Sequence, residues 1–191
     1  RLGRVGHRVV DLIVGKGTLD GAKIELGLIK GLELAGFEPV VLTDRRFVKY
    51  YRLAGVTRFV FWDNVVDRTI PARGVDIVNR AQSVDELLSF EHVGTRVGKF
   101  AVSTTMRALR VGDIDLSVES MRRALAANVG AGMMHAVAAQ DILRTVGPDV
   151  VLFMDNRYTG QGELLDLCLN TGVSVITWFD AHRSNTLMLK R

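Results

Sequence analysis

The chain has one cysteine, Cys168, so no internal disulfide can form; its place on the apolar face of an expected helix makes it a packing residue, compatible with a reducing compartment. No apolar run reaches the roughly 18 residues that a membrane-spanning helix needs, and no signal-peptide pattern opens the chain. The nearest approach to a span, Ala124 to Ala139, contains Asn128 and His135 and many small residues, and reads as a tightly packed helix of a folded domain. Internal repeats and low-complexity linkers are lacking. A strong excess of one charge is lacking too: 25 Lys and Arg against 21 Asp and Glu leave +4, spread along the chain. That balance suits an anionic ligand, whether nucleotide, phosphate or an acidic membrane surface, without requiring nucleic acid. The remaining composition, 48% hydrophobic and 24% charged over 191 residues, sets disorder aside and allows one well-packed domain spanning 1–191. The chain opens on Arg1 and stops at Lys190-Arg191 after a helix-like Asn185 to Leu189 stretch, and reads as the N-terminal part of something longer.

Strand-like and helix-like patterns alternate. Val9 to Val14 reads as a first strand despite Asp11, followed by a Gly-rich turn and a helix from about Asp20 to Ala35 closed by Gly36. Pro39 to Thr43 is a second strand, a helix from about Phe47 to Ala54 follows, and Arg58 to Trp62 is a third strand. From Ser83 to Gly147 the strands stop, and helical patterns appear at about Val84 to Phe90, Gly94 to Arg110 and Leu116 to Val146, with Ser117 as an N-cap and Pro148 as the end of the insertion. Val150 to Met154 resumes the sheet, Glu163 to Asn170 is a helix ended by Gly172, and Val173 to Phe179 is a fifth strand. Strands joined by helices run parallel, so the turns after residues 14, 154 and 179 share the carboxyl edge, where open α/β sheets bind ligands. The expected fold is an α/β/α Rossmann-like sandwich with five parallel strands in the order 3-2-1-4-5 and a helical insertion at about 83–147.

Three turns bear on function. Gly15-Lys16-Gly17-Thr18-Leu19-Asp20-Gly21 lies between strand and helix, so its amides can face a phosphate or sugar, but its G-x-G-x-x-x-G spacing is one residue longer than the dinucleotide pattern, and Lys16 precedes the second glycine, unlike a triphosphate loop. The glycines equally serve the tight turn alone. Asp155 to Gly162 places Asn156, Arg157, Tyr158, Thr159 and Gln161 before a helix N-terminus, and Asp180 to Arg183 adds His182 and Arg183. Such side chains donate to hydroxyls or bind phosphate, and His182 is a candidate base; local Asp–Arg ion pairs are the alternative. Asp44 with Arg45 and Arg46 reads as a solvated cluster, not a ribose-binding acid. Asp113-Ile114-Asp115 has the form of a metal-holding D-x-D but sits between helices, so no metal is expected. His7, His92 and His135 have no neighbours at ligand or triad spacing.

Tyr158 to Asp166, Gly172 to Trp178, and His182 to Arg191 resemble bacterial capsule and surface-polysaccharide biosynthesis proteins of the GT-B glycosyltransferase kind, which show a Tyr-Thr-x-x-Gly-Glu-like turn and an Arg-Asn-x-Leu-x-Leu-Lys-Arg-like run; Gly98 to Thr104 and Gly112 to Ser117 look like theirs as well. The resemblance implies a two-domain transferase whose N-terminal domain binds the saccharide acceptor and whose absent C-terminal domain binds the sugar nucleotide, without a protein-bound metal and with no cofactor in this domain. It implies a cytoplasmic protein at the inner face of the membrane, and carries over no established catalytic residue. On this reading Gly15, Gly17, Thr18, Arg157, Tyr158, Thr159, Gln161 and Arg183 bind substrate and His182 is catalytic. A non-catalytic Rossmann-like module for a nucleotide or partner, and half of an NAD(P)-dependent oxidoreductase, are the alternatives.

Overall fold

A computed structural model describes residues 10–15, 19–62, 69–154, 157–180 and 187–191. In chain order the elements are β1 (Val10–Val14), α1 (Leu19–Leu34), β2 (Glu38–Leu42), a 3-10 turn (Arg45–Phe47) leading into α2 (Val48–Leu53), β3 (Phe59–Val60), α3 (Ile70–Arg80), α4 (Val84–Leu88), α5 (Val97–Leu109), α6 (Glu119–Val146), β4 (Val150–Phe153), α7 (Gln161–Thr171), β5 (Ser174–Asp180) and β6 (Leu187–Lys190). The chain divides into two compact units. One comprises Arg1–Trp62, Ile142–Asp155 and Gly172–Arg191, and the other Asp63–Asp141 and Asn156–Thr171.

The first unit holds one sheet in the order β3-β2-β1-β4-β5-β6. β1 to β5 are parallel, in the expected order, and the expected parallel pairing of β4 with β5 runs from Val150 opposite Ser174 to Phe153 opposite Thr177. A central parallel strand is covered on both faces, which is why every residue of β1 is buried and its sequence is nearly all apolar. The sheet departs from the expectation at its edge. Leu187–Lys190, overlapping the Asn185 to Leu189 stretch read as helix-like, is a strand antiparallel to β5, so the sheet has six strands and is mixed. A short apolar run suits helix and strand alike, and here the free edge of β5 decides it. Ile13, Val41 and Leu152 from the sheet pack with Ala22 and Ile29 of α1 and Tyr51 of α2. Both helices end in the same cap. Gly36 (φ +89°) closes α1, with the Gly36 amide on Glu33 O and the Phe37 amide on Leu32 O, and Gly55 (φ +87°) closes α2, with the Gly55 amide on Arg52 O and the Val56 amide on Tyr51 O.

The second unit is helical. Its core joins Ile70 and Val78 of α3, Leu87 of α4, Val97 and Ala101 of α5, and Leu125, Val129, Met133 and Ala136 of α6. α4, α5 and α6 fall within the stretches anticipated from the sequence, but the insertion begins earlier, because α3 precedes them. Glycines set the helix spacing. A β-carbon at Gly74 would lie 2.6 Å from Ala126 O and from the Gly130 nitrogen, and one at Gly98 would lie 1.6 Å from Leu87 O. Among the described residues no helix is long and apolar enough to cross a membrane.

Gly98→Ala is therefore expected to cost about 2 kcal/mol or more in urea denaturation, since backbone must move to admit the methyl group. Gly27→Ala, in the middle of α1 with nothing near its missing β-carbon, should instead stabilise by about 0.5–1 kcal/mol through helix propensity.

Candidate functional site

The polar segment before α7 lies in the second unit between two helix faces. On α5, positions 100, 104 and 107 form one stripe. A β-carbon at Gly162 would lie 2.3 Å from the Phe100 ring, Thr104 Oγ1 accepts from the Thr159 amide at 2.9 Å and donates to Thr159 Oγ1 at 3.1 Å, and the Arg107 guanidinium lies 4.4 Å from the Tyr158 ring centroid. On α6, Gly132 and His135 stand one turn apart. A β-carbon at Gly132 would lie 2.7 Å from Glu163 Oε1, and the His135 ring lies 3.7 Å from the β-carbon position of Gly160. Gly160 takes φ +103°, which turns the chain into the helix.

Glu163 is the centre of this arrangement. It is wholly buried, and its Oε2 accepts from the Gly160 amide at 2.6 Å, the reach of a third-position glutamate back to the N-cap that forms half of a capping box. Its other oxygen, Oε1, is buried with no hydrogen-bond partner, as is Gln161 Oε1. Burial pushes the Glu163 acid up to about 8, against the opposing pull of its amide hydrogen bonds, so it is undissociated at neutral pH. Asp166, one turn on, is treated differently: the Arg96 amide (3.0 Å), Nε (3.0 Å) and Nη2 (2.6 Å) all donate to it, a bidentate ion pair that compensates its charge. Burial also holds His135 below its ordinary range, favouring the neutral imidazole.

Of the residues proposed from sequence, Tyr158, Thr159 and Gln161 are brought together here, and Arg157 is exposed at the start of the segment. Gly15 belongs to the first unit, where its amide donates to Leu42 O at 2.8 Å and a β-carbon would lie 2.8 Å from Tyr51 Oη, whose hydroxyl donates to the buried Glu25 carboxylate. Packing alone requires that glycine. Gly17, Thr18, His182 and Arg183 lie outside the described residues. Glu163, Gly132 and His135 were not anticipated as a group. The G-x-x-E spacing of Gly160 and Glu163 is a signal for the first, whereas Gly132 and His135 come from a distant helix.

The other acidic motifs are local. Asp44 caps the 3-10 turn, and the Arg46 side chain and amide hold its carboxyl down to about 2, in line with the solvated Asp–Arg reading. Asp115 accepts from the Ser117 amide (2.8 Å) and hydroxyl (2.7 Å). No group of three metal-binding side chains converges among the described residues.

No family model and no curated protein matches the chain. Its fold is similar to that of a CDPS, a cyclodipeptide synthase, from Fluoribacter dumoffii. The identity is 11%, the match covers 96% of this chain and 91% of that one, and the TM-score is 0.49, so the likeness assigns no activity or residue role here. The capsule-polysaccharide resemblance is withdrawn: no family model or curated protein of that kind matches the chain, the structural neighbour from Fluoribacter dumoffii is a CDPS, and nothing supports the nucleotide-module or oxidoreductase alternatives. The stretches that carried that resemblance have a structural explanation. Tyr158 to Asp166 is a capped helix start, Gly172 a left-handed helix end, and Val173 to Trp178 largely one strand of the sheet, a sequence of features that many β-α-β connections need.

Asp11, buried in β1 with both carboxyl oxygens unpartnered, is likewise pushed up by burial, to about 7. Both acids bind their protons more tightly in the folded chain than in the unfolded one, so the stability they lend is fully present below the ordinary carboxylate range and is lost as pH rises through about 7 and about 8. Urea denaturation should show a chain more stable at about pH 5 than at about pH 9 by a few kcal/mol. Asp11→Asn and Glu163→Gln should each flatten that slope; a slope unchanged in both variants would contradict the assignment.

Proposed function

We propose that the second unit carries an acid–base site in which Glu163 is a general acid and Arg157, Tyr158, Thr159 and Gln161 bind the substrate. The observation that carries this reading is a wholly buried carboxyl group with one oxygen committed to the Gly160 amide and the other to nothing. An acid kept undissociated at neutral pH is suited to giving a proton to an oxygen or nitrogen leaving group as its bond to the rest of the substrate breaks. The electron pair of that bond stays on the leaving atom and takes the proton from Oε1, while the oxygen of a water molecule brought in with the substrate forms the new bond to the other fragment and releases its proton to solvent. The carboxylate left behind faces the N-terminal end of α7 and keeps the Gly160 hydrogen bond, both of which favour the charge that has just formed. Thr159, fixed by its paired bonds to Thr104, and Tyr158, held under Arg107, supply hydroxyl groups of defined position for a polar substrate. Arg157 adds positive charge for a substrate with an anionic part.

Two measurements test this reading. Carbon-detected NMR titration of the Glu163 carboxyl should give a midpoint near 8; titration in the ordinary carboxylate range would overturn the proposal. A panel of chromogenic esters, amides and phosphoesters should include a compound whose turnover falls about 100-fold in Glu163→Gln, a variant that keeps the helix cap. That turnover should also decline as pH rises through about 8, where the acid loses its proton. Turnover equal in wild type and variant would sink the role assigned to Glu163.

A further inference from the structure

In the first unit α1 and α2 turn Ile29 and Tyr51 inward against the sheet. Their other sides are exposed. On α1 the exposed stripe runs through Lys23, Gly27, Lys30 and Leu34, one residue per turn, and on the 3-10 turn and α2 it takes in Arg45, Arg46, Lys49, Arg52 and Leu53. The two stripes adjoin at their ends, since a β-carbon at Gly55, which closes α2, would lie 3.4 Å from Lys30 Nζ, and Gly36 and Gly55 line one cavity. The positive charge of this surface is not cancelled locally. Glu33 is held by Lys30 at 2.6 Å and Asp44 by Arg46 at 2.7 Å, but neither Lys49 nor Arg52 has an acidic partner among the described residues. Aromatic rings fix the bases in place: the Arg45 guanidinium lies 4.3 Å from the Phe61 ring centroid, that of Arg52 5.8 Å from Phe59, and Lys49 Nζ 5.0 Å from Tyr50. A guanidinium stacked on a ring keeps N–H groups around its rim for phosphate oxygens.

Two leucines decide which polyanion fits. Leu34 and Leu53 are the last residues of α1 and α2, and they are 91% and 87% exposed, beside the bases. A nucleic-acid backbone offers nothing to a protruding aliphatic side chain, and rings on which a base would stack are here covered by the chain's own cations. A lipid surface offers both parts: phosphate for the bases, and acyl chain just beneath it for the leucines. We propose that the exposed sides of α1 and α2 dock on an anionic phospholipid bilayer, with headgroup phosphates at Arg45, Lys49 and Arg52 and with Leu34 and Leu53 entering the boundary between headgroups and acyl chains. The contact is peripheral and reversible, because two leucines and a few bases are a shallow anchor.

Vesicles of phosphatidylcholine with about 30% phosphatidylserine should carry the full chain into the pellet on centrifugation, vesicles of phosphatidylcholine alone should leave it in solution, and salt at about 0.5 M should release it. The double variant Lys49→Gln, Arg52→Gln should weaken binding to the acidic vesicles by about tenfold or more. Leu34→Ser combined with Leu53→Ser, at positions too exposed to matter to the fold, should weaken it about tenfold and leave its salt dependence in place. Glu163→Gln should bind as the wild type does, so the outcome is independent of the acid–base reading. Equal binding to both kinds of vesicle, binding to neither, or a leucine variant that binds as tightly as the wild type would each overturn the proposal. A single-stranded oligonucleotide bound in preference to the acidic vesicles, and lost with Lys49→Gln and Arg52→Gln, would overturn it in favour of nucleic acid.

Discussion

The hydrogen bond from the Gly160 amide to Glu163 Oε2 fixes where α7 begins, and the rest of the polar segment follows from it. An N-cap glycine has no side chain to satisfy the helix's first donors, so the glutamate three positions on is the group that reaches back. Forming that bond turns the carboxyl inward between α5 and α6, where water does not reach it. A buried carboxylate without a counter-ion is far costlier than a buried acid, so the group answers burial by keeping its proton. Asp166 shows the other answer to the same problem. It lies one turn further along α7, nearly as buried, but Arg96 delivers three donors to it. One helix thus carries two buried acids in different surroundings, and the difference lies in whether an arginine reaches them.

Much of the first unit was legible from sequence because a parallel sheet writes itself as short apolar runs separated by helix-length intervals, and β1, β2, β4 and β5 are such runs. β6 was not. Its four exposed residues carry no alternation between a buried and a solvent face, and strand pairing to β5 is a long-range choice that Leu187 to Lys190 do not encode alone. α3 was missed although Ile70, Gly74 and Val78 are buried at helical spacing with Pro71 in the first turn; the intervening Arg73, Asp76 and Asn79 leave the segment no continuous apolar run. In the second unit the polar stretch at Arg157 to Gln161 was recognisable by its place between a strand and a helix. Its central acid was not, because Glu163 reads as an ordinary first-turn glutamate until tertiary packing buries it. The resemblance to polysaccharide enzymes misled for a related reason: the shared residues are those that caps and strands require, and they recur wherever such elements are joined.

The small-residue character of α6, legible as the mark of a tightly packed helix, has a further consequence for the site. Gly74 against Gly130, Gly98 against Leu87, Gly132 against Glu163 and Gly162 against Phe100 are four places where a methyl group would collide with its neighbour. A glycine in a helix interior costs about 1 kcal/mol relative to alanine, and Gly74 and Gly132 are interior to α3 and α6, so each weakens its helix by a noticeable part of a domain's net stability. That cost is offset only if the close approaches are made, which ties the helical propensity deficit to tertiary contact. Two of the four glycines, Gly132 and Gly162, border Glu163 directly. The space that admits its carboxyl group is therefore bounded by the backbone of α6 at Gly132, and the undissociated state of the acid depends on that helix packing.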